Sequence, residues 1–220
     1  MTRRGRSHPD LLSPGTAMSA VTLHVDDLDA QTRYYREAVG LAVLPAPEEA
    51  RTAGRDVVAL GRAGTPIVVL VRTPGLPRPR RGEAGLFHTA ILFDDEPTLA
   101  AAVASVASTA PGTYVGSADH LVSQAFYFTD PEGNGVELYA DRPRDAWRWA
   151  RGLVQMDSLP LDPNAFLDAH LEHGWTLEAG RPDLDPDAGG AVVGHVHLQV
   201  GDVPTARAFY VDTLGFEVTG

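Results

Sequence analysis

The chain has no cysteine among its 220 residues. Disulfides, iron–sulfur clusters and thiolate zinc sites are therefore excluded, and any metal must be held by His, Asp or Glu. The same absence leaves the redox compartment unmarked. No apolar run approaches the roughly 18 residues of a membrane span. The opening MTRRGRSHPDLLSPGTA has arginines but no long apolar stretch behind them. It does not read as a secretory signal, so residues 1–17 are expected to be a disordered tail and the protein cytoplasmic. Basic residues are in deficit: 18 Lys+Arg face 29 Asp+Glu, for a net charge of −11. That balance repels phosphate and argues against a nucleic-acid or anionic-membrane partner. A dinucleotide fingerprint, a P-loop and a Gly-x-Ser-x-Gly elbow are all missing. The hydrophobic share, 44 %, is ordinary for a globular chain, and the length suits one or two domains.

What is present is a repeat. Val21–Val43 aligns with Val196–Val218 at an offset of 175 residues without a gap. Val21/Val196, Leu23/Leu198, Val25/Val200, Asp27/Asp202, Tyr35/Tyr210, Gly40/Gly215 and Val43/Val218 are identical pairs. A further copy starts at Leu86, with Asp95 in place of Asp27 and Asp202. Each copy reads as a short alternating strand, an Asp N-cap, a helix and a C′ glycine. In the first copy, strands at Ala42–Leu44, Asp56–Leu60 and Thr65–Val71 complete a βαβββ unit. In the second, strand Leu86–Phe93 and helix Glu96–Ser108 precede strands Thr113–Ser117, Ser123–Thr129 and Gly135–Tyr139. The last two are joined by the turn Asp130-Pro-Glu-Gly-Asn134.

The expected organisation is module one at residues 18–73, a Pro/Arg/Gly linker at 74–85, and module two at 86–142. A connector covers 143–193, and 194–220 opens a third module with a second strand at Glu217–Thr219. Within the connector, Pro163–Trp175 reads as an amphipathic helix and Arg181–Gly190 as a loop without a packing signal.

Seven residues before the helix-opening Asp stand Ala20, His88 and His195 in the three copies. A single strand histidine is most often a satisfied polar residue, but two at one register of a repeat point to a shared role. Alternation places His195, His197 and Gln199 on one face, away from the helix. Glu137 sits on a short strand where propensity disfavours it unless it is exposed or bound.

These modules, the His-x6-Asp pattern, and the string Tyr127-Phe-Thr-Asp-Pro-Glu-Gly-Asn-Gly-Val-Glu137 resemble the vicinal oxygen chelate superfamily. The segment from Asp119 to Pro143 is most similar to two-domain extradiol ring-cleaving dioxygenases of the catechol 2,3-dioxygenase type. The resemblance implies an α+β fold of repeated βαβββ modules forming curved mixed sheets. It implies a metal held by His88, Glu137 and His195, with Fe(II) as the expected ion and Mn(II) as the alternative. Catechol-like diol and O2 would be the small-molecule partners, and paired modules are compatible with a homodimer. Tyr127 matches the active-site Tyr of that group. His120 falls near its proton-handling His, although the loop is two residues shorter. His197 is a candidate substrate contact, or equally a polar wall residue. Because Ala20 removes the first module's histidine, modules two and three are expected to pair around the metal. His24 lacks a carboxylate partner, His170 and His173 read as a solvated helix face, and His8 lies in the tail. A glyoxalase-type isomerase or lyase, and a non-catalytic ligand-binding protein like those of bleomycin resistance, are the alternatives. The first normally uses two carboxylates, and one suitable carboxylate is found here.

Overall fold

The structure is a computed structural model and describes residues 11–219, apart from 14, 49–53, 78–79, 81, 172–174 and 178–179. His8 and His173 lie outside the described residues. The protein is mixed α+β, with two curved mixed sheets that stay open.

The first sheet has strands β1 (Val21–Val25), β2 (Ala42–Leu44), β3 (Val57–Arg62) and β4 (Thr65–Arg72) in the order β1-β4-β3-β2. β1 runs parallel to β4, and the remaining pairs are antiparallel. The second sheet contains β5 (Gly85–Phe93), β6 (Tyr114–Asp119), β7 (Ser123–Thr129) and β8 (Gly135–Asp141) in the matching order β5-β8-β7-β6. β9 (Trp149–Ala150) and β10 (Leu153–Val154) form a small hairpin of their own. Two further strands extend the second sheet. β11 (Leu159–Pro160) adds to β6, and β12 (Ala191–Gln199) runs antiparallel along β5.

Each module helix opens on an Asp side chain that accepts a hydrogen bond from the third residue beyond it. Asp27 caps α1 (Leu28–Arg33), Asp95 caps α2 (Glu96–Thr109), and Asp202 caps α4 (Val203–Arg207). The connector helix α3 (Pro163–His170) is capped in the same manner by Asp162. Asp does this because its carboxylate satisfies orphan first-turn N–H groups. α1 and α4 each continue into a π-helical turn, Tyr34–Ala38 and Ala208–Thr213. Gly40 and Gly215 follow at φ +81° and +85°, the left-handed conformation that ends a helix cheaply only at glycine.

One core joins the first two modules. Tyr35, Val39 and Leu70 from module one share it with Leu99, Val103, Phe126 and Leu138 from module two. α2 is enclosed on several sides, which suits its run of Ala and Val, and buried Ser105 hydrogen-bonds the Glu37 carbonyl of module one. The turn before β8 is tied across as well. Glu132 Oε1 accepts from the backbone N–H of Asp26 and Asp27, and Tyr35 donates to Asp130. Fully buried Gln31, with its amide oriented to suit its surroundings, donates to Asp130 and accepts from the Glu132 N–H.

Three sequence expectations need correction. Arg181–Gly190 does pack. Arg62, 1 % exposed on β3, donates to the carbonyls of Gly40, Asp185, Ala188 and Gly189. Its guanidinium also lies over the Phe93 ring, and Leu184 is buried against Gly40. Polar loop composition hid this because the contacts are made by backbone carbonyls. No strand forms at Glu217–Thr219, where a single bond from Val154 N–H to Thr219 takes the place of a ladder. The connector helix stops at His170, whose ring lies 4.5 Å from Phe166. At the other end of the chain, Leu12 N–H bonds the Gly215 carbonyl.

Candidate metal centre

Register across the second sheet builds the site. Tyr127 on β7 is paired with Glu137 on β8, Glu137 with Ala90 on β5, and Ala90 with His195 on β12. Paired residues project to the same face. These side chains therefore form one row, and Ala90 at its centre is too small to fill the space above it. The next row is Gly135, His88 and His197. A Cβ on Gly135 would collide with the Phe87 carbonyl and crowd His88, so glycine is required for that strand to lie so close.

Over Ala90 the groups converge. His88 Nε2 lies 2.8 Å from Glu137 Oε2, and His195 Nε2 lies 3.2 Å from the same oxygen. One ligand atom from each of the three residues falls within 4.8 Å of the others. His88 and Glu137 are buried, whereas the His195 side chain is 45 % exposed and borders solvent. Burial by itself would raise the Glu137 pKa. The hydrogen bond from His195 and the charge of the two close imidazoles outweigh it and hold the carboxyl at about 2. The residue is thus a carboxylate at neutral pH.

The cluster fits a divalent cation. His88 Nε2 is buried and, despite its short approach to the carboxylate, has no aligned hydrogen-bond partner. A buried imidazole nitrogen left unsatisfied in this way needs an explanation. A cation seated between nitrogen and oxygen supplies one. Two imidazoles and one carboxylate on one face are also the donor set that suits non-haem Fe(II).

Beside the cluster lies a hydrogen-bonded chain. Tyr127 and His120 Nε2 are 2.7 Å apart, and His120 Nδ1 is 2.9 Å from the Asp157 carbonyl. A carbonyl only accepts, so Nδ1 carries the proton and Nε2 accepts from the Tyr127 hydroxyl. Burial and the Glu137 charge raise the Tyr127 pKa, which keeps its hydroxyl protonated at rest. His120 sits in the β6–β7 reversal, where Leu121 adopts φ +68°. Asp119 anchors that reversal by accepting two bonds from the Arg142 guanidinium and one from Leu121 N–H.

His197 stacks edge-on to His88 at 4.9 Å and near Phe87 at 5.0 Å. Partial burial, with His88 and His195 nearby, lowers its pKa. His24 lies apart and bonds Thr73. A cavity of about 710 Å3 adjoins the site, with His88, Tyr127, Phe87, Val115, Leu23 and His24 in its wall. Sequence reasoning missed Tyr139, whose hydroxyl lies 3.3 Å from His195 Nδ1. Its position two residues beyond Glu137 on an alternating strand was the available signal.

Residues 17–138 match the family described as the Glyoxalase/Bleomycin resistance protein/Dioxygenase superfamily. The chain belongs to that superfamily. Within it, the chain is 33 % identical over 209 residues to a catechol-2,3-dioxygenase of Bacillus subtilis (strain 168), covering 93 % of this chain and 67 % of that protein. Similar solved structures include a glyoxalase/dioxygenase from Nostoc punctiforme, at TM-score 0.47 and 23 % identity, over 60 % of this chain and 97 % of that one. A glyoxylase/bleomycin resistance protein/dioxygenase domain from Frankia sp. EAN1pec matches at TM-score 0.47 and 18 % identity, over 59 % and 94 %. No helix among the described residues is long and apolar enough to cross a membrane.

Proposed function

We propose that this superfamily member is an extradiol dioxygenase that opens a catechol-like ring with O2. The observation that carries the proposal is the pairing of two features on one sheet face. The His88–Glu137–His195 cluster supplies ligands, and the Tyr127–His120 chain beside it handles protons. The 33 % identity to a catechol-2,3-dioxygenase supports the same reading.

His88, Glu137 and His195 would hold the iron. Bound there, Fe(II) would acidify the diol and supply the electron density that O2 activation needs. The chain's own groups do the rest. A diol hydroxyl set against Tyr127 can give its proton to the Tyr127 oxygen while Tyr127 passes its own to His120 Nε2. His120 is then a cation, with Nδ1–H still held by the Asp157 carbonyl. Reversing the transfer returns the proton to an oxygen of the opening ring. Phe87, Val115 and Leu23 offer apolar surface to the ring and its substituents, and His197 packs edge-on against His88.

The test is oxygen uptake. Protein loaded anaerobically with Fe(II) and given catechol should consume O2 and form a yellow ring-opened product. Iron binding without O2 uptake would favour a non-catalytic ligand-binding protein instead.

A further inference from the structure

β12 enters the second sheet with Ala191 and Val193 in the core and Val192 facing away from it. Simple alternation would return His195 to the core beside them. A bulge prevents this. Val193 pairs with Ile91 and His195 with Ala90, which leaves Gly194 as an extra residue. One inserted residue reverses the alternation, so His195 faces Glu137. Gly194 has a second consequence. A Cβ there would collide with the Tyr139 hydroxyl and press on Leu92. The space that only glycine leaves is filled by that hydroxyl.

Tyr139 is buried, 6 % exposed, and its ring meets His195 edge-on at 5.1 Å. We infer that Tyr139 is a positioning residue whose hydroxyl partners His195 Nδ1 in both tautomers, so the ring keeps its aim while its proton moves. The inference rests on the metal reading above. His195 Nε2 lies 3.2 Å from Glu137, which only accepts. A neutral His195 therefore carries its proton on Nε2, and Nδ1 accepts from the Tyr139 O–H. A ring that ligates through Nε2 must free that nitrogen. Its proton leaves to solvent, one is taken up at Nδ1, and no net proton is gained or lost. The half-exposed His195 edge gives water access for the exchange. The Tyr139 oxygen then accepts from Nδ1–H. A hydroxyl can serve in both roles, a carbonyl only in the second, and phenylalanine in neither. Fixing the non-ligating nitrogen in this way orients the ring and raises its basicity as a ligand.

The test uses Zn(II) alone as a diamagnetic probe, with the His195 resonances assigned against His195→Gln. Long-range 1H–15N spectra are recorded at a pH where the imidazole is neutral. In the wild-type chain the proton should sit on Nε2 without zinc and on Nδ1 with it, protected from exchange. Tyr139→Phe should give mixed tautomers without zinc and bind zinc about 10–100-fold more weakly. Gly194→Ala, which displaces the hydroxyl and leaves Tyr139 in the sequence, should weaken zinc binding as well. A Tyr139→Phe protein with wild-type zinc affinity and unchanged tautomers overturns this inference alone. A wild-type chain that binds no zinc overturns the metal reading and this inference with it.

Discussion

Tyr127 and His120 are joined by a 2.7 Å hydrogen bond whose direction is set by a third group, the Asp157 carbonyl on the far side of the imidazole. The arrangement leaves His120 Nε2 able to receive a proton and makes Tyr127 the link between it and the adjoining cavity. Tyr127→Phe and His120→Ala should each lower kcat about 100-fold or more, the usual scale for a lost proton-transfer group. Neither residue belongs to the metal cluster, so iron stoichiometry should be unchanged. Steady-state oxygen uptake with parallel metal analysis separates the two effects.

The Asp119–Arg142 pair acts one step further out. It fixes the reversal that presents His120, through bonds of 2.8 and 2.9 Å. The pair is partly exposed, so its loss should cost only about 1 kcal/mol of stability. Asp119→Ala should nevertheless lower kcat with little change in metal affinity, because His120 loses its fixed position. A thermal melt and a kcat measurement on the same preparation give both numbers.

Glu137 makes the metal-free protein acid-sensitive. Its folded pKa of about 2 lies below the ordinary 4.5. A depressed carboxyl pKa contributes stability that is present above the unfolded value and is lost as pH falls through the folded one. The loss should therefore run from about pH 4.5 down to about pH 2. Glu137→Gln should flatten the curve across that window in urea titrations at successive pH values. An unchanged slope would mean that the carboxyl is not held by the two imidazoles.

Arg62 ties module one to the segment leading into β12. Removing it leaves the buried Gly40 carbonyl without its Arg62 donor and takes the same donor from the carbonyls of Asp185, Ala188 and Gly189. Arg62→Met should destabilise the protein by about 3–5 kcal/mol, read by chemical denaturation. Amide exchange should accelerate first at residues 185–195.

The repeat made much of this fold readable, because strand, Asp cap, helix and glycine recur in order at each copy. The same register brought His88 and His195 to notice, and the alternation of β8 singled out Glu137. The structure sets these three together with Tyr127 and His120, and puts His197 against His88. What escaped has a common physical character. Arg62 stands in an apolar strand where a charged end reads as solvent-facing, yet its partners are carbonyls that any sequence could supply. Gln31 reads as a surface helix residue, and the partners that bury it come from a turn about 100 residues away. The bulge at Gly194 is invisible to a period-two reading, since one inserted residue leaves no mark in composition. Tyr139 shares the face of Glu137 by plain alternation, but its pairing with His195 depends on that bulge and was hidden with it.

The most direct measurement of the central claim is anaerobic Fe(II) titration of the wild-type chain and of Glu137→Ala, with circular dichroism confirming that both are folded. One equivalent bound by the wild type, and binding abolished in the variant, is the result expected if His88, Glu137 and His195 hold the ion. A folded Glu137→Ala protein that binds iron as the wild type does would contradict it.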